Sequence, residues 1–85
     1  MIVSGPVTLG NAAALLEEGR RHLADGVQTA DLGEVSEMDS ALLALLLAWL
    51  REARQRERPL AFTNLPASLL TIARLYGVDR LLPAS

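Results

Sequence analysis

Asp39 and Ser40 stand directly before ten unbroken apolar residues, Ala41 to Leu50. Short polar side chains at such a point open a helix, because they satisfy free N–H groups of its first turn. The Ser40 hydroxyl can do this, a bond worth about 1 kcal/mol. It is also a candidate phosphoacceptor: a phosphate would bring about −1.5 to −2 charges beside Asp39 and Glu37, against an apolar surface, and so oppose docking there. As a nucleophile it lacks a base. Glu37 and Asp39 do not activate a serine without a histidine between them. The single histidine, His22, lies among Arg20, Arg21 and Asp25 on the polar side of another segment and reads as solvated.

The remaining chemistry is sparse. Glu34, Glu37 and Asp39 are the one acidic group that could support acid–base work or a hard cation, but their spacing matches no oxygen-ligand loop. A helix dipole alone accounts for acids before Ser40. The chain has no cysteine, which excludes disulfides, thiolate metal sites and thiol catalysis. It has no glycine-rich phosphate cradle. Its net charge is −2 and its cations are eight arginines and no lysine, so no basic field is set out for nucleic acid. The residues thus imply no catalytic group, no metal and no cofactor. An acid-using enzyme would need a concave pocket that so small a chain is poorly able to build beside an apolar helix.

The elements that must position Asp39 and Ser40 follow from punctuation and periodicity. Eighty-five residues with 51% apolar content make one domain, residues 1–85. Met1–Val3 is β-prone and breaks at Ser4-Gly5-Pro6. Asn11 can cap a helix to about Ala24, with Ala12, Leu16, Gly19 and Leu23 on one stripe. Val27–Leu32 reads as a short strand and Gly33–Glu37 as a loop. A helix follows from Ser40 to about Gln55, its closing arginines suited to the negative end of the dipole. Leu60–Thr63 is a strand. Pro66 opens the last helix and Gly77 stops it. This β-α-β-α-β-α order implies a small α/β domain with a mostly parallel sheet and right-handed crossovers.

The long helix has two apolar sides. With Leu43, Leu46, Leu47, Leu50 and Ala53 on the sheet, Ala41, Ala44, Leu45, Ala48 and Trp49 face outward. If Leu45, Trp49 and their alanine neighbours expose roughly 250 Å² of apolar surface, a partner covering them gains on the order of 6 kcal/mol before association costs. Trp49 would anchor that contact. The leader-like features of a secreted chain are missing at Met1, and the apolar run is half of the roughly 20 residues that span a bilayer, so a cytoplasmic protein without direct membrane insertion is expected.

Two segments carry a family resemblance. Asp31 to Ser40, leading into the leucine-rich helix, resembles the central signature of STAS domains: a strand, a loop, then Asp-Ser/Thr opening a helix. Phe62-Thr63-Asn64-Leu65-Pro66, Ile72 to Val78, and Leu81-Leu82-Pro83 resemble the ending of one branch, the STAS subunit of the Mla phospholipid-transport ABC complex of Gram-negative bacteria. The resemblance spans nearly the whole chain. It implies a non-enzymatic accessory subunit, peripheral to the inner membrane, that binds the transporter's ATPase and through it the permease. The resemblance places Ser40, after Asp39, at that contact, and the outward face of the helix extends it to Ala41, Leu45, Ala48 and Trp49, joined by Tyr76 of the last helix. In the anti-sigma-factor antagonists of the same family the Ser40 position is phosphorylated by a partner kinase, which gives the alternative reading. The chain departs from the pattern in two places. Ala41-Leu42 stands where a glycine is usual, and the strand that most members carry before Met1–Val3 is missing, which leaves a sheet edge open to self-association or a partner.

Overall fold

The computed structural model describes residues 1–82. Three strands, β1 (Ile2–Val7), β2 (Thr29–Met38) and β3 (Ala61–Thr63), alternate with α1 (Ala12–Ala24), α2 (Ser40–Gln55) and α3 (Ala67–Leu75). A 3-10 turn, Asp79–Leu81, follows. The sheet order is β1-β2-β3 and both pairings are parallel, as the element order implied. Each helix therefore starts at the carboxyl end of its strand, and the three run the same way. α1 packs on α2 and α2 on α3, forming one helical layer. Pro83, part of the resemblance, lies outside the described residues.

α2 begins and ends where its residues dictate. Asp39 is extended and its carboxylate accepts the Ala41 N–H at 2.8 Å, so the aspartate supplies the cap and Ser40 is the first helical residue. α3 opens after Pro66, whose missing N–H costs nothing at a helix start. Gly77, at φ 70°, turns the chain out of it.

Two strands are longer than the sequence suggested. Ser4-Gly5-Pro6 interrupts β1 without ending it: register shifts fall on either side of Ser4-Gly5, and Gly5 takes φ 77°. Pro6 is tolerated because β1 is an edge strand. Gly33–Glu37 is not a loop but the second half of β2, paired with β1 out to Val7↔Met38. The shifts break the apolar alternation, and Gly33, Glu34, Ser36 and Glu37 are exposed, so this half of the strand has a loop's composition. Asn11 also departs from expectation. It stands at the N-cap of α1 without a side-chain cap bond; its Oδ1 accepts from Thr8 N–H at 2.9 Å and its Nδ2 donates to the Pro6 carbonyl at 2.8 Å.

The largest correction concerns α2. Trp49 is 1% exposed, and Leu45 and Ala41 are also buried. Their side of the helix is not open, because α1 covers it. Gly19 makes this approach possible: a Cβ there would clash with Cε2, Nε1 and Cζ2 of the indole. The indole Nε1–H donates to the Leu16 carbonyl at 3.2 Å, so its one polar group is satisfied. The chain thus shelters both flanks of its apolar rod, with Leu42, Leu46, Phe62 and Leu69 completing the core. Leu47 and Leu50, assigned to the sheet side, are only half-buried. The face assignment is rotated, and what remains uncovered on α2 is the line through Ser40, Ala44, Leu47, Ala48 and Arg51.

Candidate docking site

Ser40 is the first residue of α2 at the carboxyl edge of the sheet, and it is exposed. Among the described residues its hydroxyl makes no hydrogen bond, since the capping task falls to Asp39. The same Asp39 carboxylate reaches sideways: Oδ2 accepts the Leu9 N–H at 3.3 Å. The Asp39 N–H donates to the Val7 carbonyl at 3.4 Å. One aspartate therefore fixes both the start of α2 and the β1–α1 turn beside it.

That turn places Leu9 next to the serine end. Leu9 is 83% exposed and borders a larger apolar surface. From it a shallow hollow of about 320 Å³ runs between α1 and α2, bordered by Ala13, Ala44 and Ala48 and ending at Arg51. The alanines matter because short side chains let another backbone come close. Beyond Ala48 the helices are tied by Arg20, whose Nε donates to Glu52 Oε1 at 2.7 Å and whose Nη1 pairs with Glu17 at 2.9 Å. The hydrogen bonds Arg20 donates to Glu17 and then Glu52 hold its guanidinium above its ordinary pKa.

Asp31 lies on β2, away from this hollow. Its Oδ1 accepts from Gly33 N–H at 2.8 Å and from Asn64 Nδ2 at 3.1 Å, which joins β2 to the end of β3. These bonds, the backbone one foremost, keep its carboxyl below the usual range. Glu34, Glu37 and His22 are exposed. Among the described residues no three His, Cys, Asp or Glu side chains group to hold a metal ion, and no helix is long and apolar enough to cross a membrane.

A family model described as "Mlab, STAS domain" matches residues 1–83. The chain belongs to the STAS domain family. Two solved structures share the fold of this STAS domain. The anti-sigma factor antagonist SpoIIAA in its unphosphorylated form superposes with TM-score 0.72 at 15% identity, over 99% of this chain and 76% of its own. A candidate anti-sigma factor antagonist from Thermotoga maritima superposes with TM-score 0.77 at 17% identity, over 98% and 75%. No curated protein matches the chain.

Of the residues singled out from the sequence, Asp39, Ser40, Ala41, Leu45 and Ala48 do meet at one end and one side of α2. Ala41 and Leu45 form the floor of the hollow with little exposure, and Ala48 is half-open. Trp49 lies beneath, in the core. Tyr76, 65% exposed, caps the carboxyl end of α3. Because α2 and α3 run the same way, the structure puts it at the opposite end of the STAS domain from Ser40. Leu9 and Ala13 were missed. A lone leucine in the turn Thr8-Leu9-Gly10 gives no signal of exposure until Asp39 is seen to hold that turn.

Proposed function

We propose that this STAS domain is a non-enzymatic cytoplasmic docking subunit that presents Ser40, Leu9 and the alanine-lined hollow to the ATPase of a phospholipid-transporting ABC complex and supports that enzyme's assembly. One observation carries the reading: the Ser40 hydroxyl is exposed and unbonded because Asp39 caps the helix, and an apolar hollow begins beside it. The Mla branch is favoured by the description of the matching family and by the run Ile72 to Val78. Docking would recruit the exposed Leu9 in place of the Trp49 first expected, with alanines letting a partner helix approach.

The test is a tagged domain used to recover partners from the organism's solubilised membranes, followed by titration of the ATPase subunit. An ABC ATPase should be recovered, and Ser40→Glu should weaken its binding tenfold or more, about 1.4 kcal/mol. Recovery of no ABC ATPase, or equal binding by Ser40→Glu, would sink the proposal.

A second reading, an anti-sigma-factor antagonist switched at Ser40, is favoured by the same free hydroxyl. Incubation with an anti-sigma kinase and ATP would then add one phosphoryl group to the protein but not to Ser40→Ala. Ala41 and Leu42, which stand where the family usually carries a glycine, are both buried and leave the approach to Ser40 open.

A further inference from the structure

At the far end of α2 from Ser40, a groove with an apolar floor gathers four of the chain's eight arginines. Leu50 and Leu81 lie under two adjoining hollows of about 480 and 220 Å³. Arg54 borders both, Arg58 and Arg80 the larger, and Arg51 the smaller. Among the described residues none of these four makes an ion pair, whereas Arg20 and Arg56 are engaged by Glu17 and Glu52. Glu57 is the one carboxylate among the described residues lining the hollows. In a chain of net charge −2 this groove has the opposite sign.

A structural explanation covers only part of this. A cation in the last turn of α2 complements the helix dipole, which accounts for Arg54. It does not account for Arg51 a turn earlier, nor for Arg80 on the 3-10 turn after α3. Nor does it explain why Leu81 stays 54% exposed in their midst. Guanidinium groups bind carboxylates through paired, planar hydrogen bonds, and arginine clusters around an apolar floor recognise acidic segments with an apolar anchor. Two separate hollows meeting at Leu50 and Leu81, with arginines around them, suit a peptide that seats one apolar side chain and holds carboxylates on either side.

We propose that this groove binds an acidic peptide segment of a partner protein, with its carboxylates on Arg51, Arg54, Arg58 and Arg80 and one apolar side chain seated on Leu50 and Leu81. The surface is separate from the Ser40 site: Ser40 and Arg54 lie about 21 Å apart along the axis of α2. It therefore stands or falls independently of the docking reading.

The test is fluorescence anisotropy with a short fluorescein-labelled peptide of Glu-Glu-Leu repeats. Binding is expected, falling as salt is raised. Arg54→Glu with Arg80→Glu should weaken it at least about tenfold, and Arg54→Gln with Arg80→Gln should weaken it less, while Arg21→Glu on α1 leaves it unchanged. Circular dichroism melts check that each variant is folded; the Gln pair keeps the test decisive should the Glu pair unfold. No binding of the acidic peptide, equal binding of a Lys-Lys-Leu counterpart, or equal binding by the Gln pair would overturn the proposal. So would arginine-dependent binding to phosphatidylglycerol vesicles without binding to the peptide, which would assign the groove to lipid.

Discussion

Gly19→Ala sets two expectations against each other. On a helix judged alone, alanine in place of glycine stabilises by about 1 kcal/mol. In this fold Gly19 is buried on α1, and its new Cβ would fall among Cε2, Nε1 and Cζ2 of Trp49. The indole is 1% exposed and has nowhere to retreat. Either α1 lifts from α2, or the ring rotates and surrenders its bond to the Leu16 carbonyl. Overpacking costs about 1–3 kcal/mol, and a buried N–H left unpaired about 1–3 kcal/mol. With both costs incurred and the helical gain subtracted, the net loss is roughly 1–5 kcal/mol. For a domain of this size each kcal/mol moves the midpoint by about 4–8 °C, so melting should fall by roughly 4–40 °C. Thermal melts followed by circular dichroism and Trp49 fluorescence measure it. Gly10→Ala is the control, since a Cβ there meets only Thr8 Oγ1 at 3.8 Å. A Gly19→Ala protein that melts higher than wild type would refute the packing of α1 on Trp49 and reopen that side of α2.

Other perturbations test neighbouring parts. Trp49→Ala should destabilise the isolated domain by about 3–5 kcal/mol, seen in denaturant unfolding; an unchanged midpoint would return the indole to the surface. Asp39→Ala removes the acceptor shared by Ala41 and Leu9 N–H groups and should cost about 0.5–2 kcal/mol, with Asp39→Asn recovering part of it in the same melts. Asp31 gives a pH signature. Its folded carboxyl titrates below its ordinary value of 3.8, so its contribution is present above that value and fades as pH falls from there through the lower folded pKa. Asp31→Asn should flatten the fall in stability across that acid window, and an identical pH profile would contradict the bonds from Gly33 and Asn64.

The sequence makes α2 legible because everything about it is local. Asp39 caps, Ser40 to Leu50 offers no break, and Arg54 suits its last turn, so the expected span Ser40–Gln55 is the observed one. Which flank is covered was not legible, because leucines and alanines are distributed on all sides of α2 and the deciding residue is Gly19, whose contribution is the side chain it lacks. The second half of β2 was misread for a related reason. Gly33, Glu34, Ser36 and Glu37 face solvent, and a strand interrupted by register shifts loses the alternation that reveals one. At the candidate site, Asp39 and Ser40 were visible as a pair, but their division of labour was not. Only the bond from Ala41 N–H to the aspartate shows that the serine is left free. Tyr76 was grouped with Ser40 by family likeness, whereas parallel helices separate the two ends.

Amide hydrogen exchange on the domain alone and in complex with the ABC ATPase subunit of its own organism tests the docking account most directly. The first-turn amides of α2 have few helical partners and exchange readily when uncovered. The account predicts that slowing on binding concentrates at Leu9–Ala13 and Ser40–Ala44. Slowing confined to other segments, with Leu9 and Ser40–Ala44 exchanging as in the free domain, would contradict it.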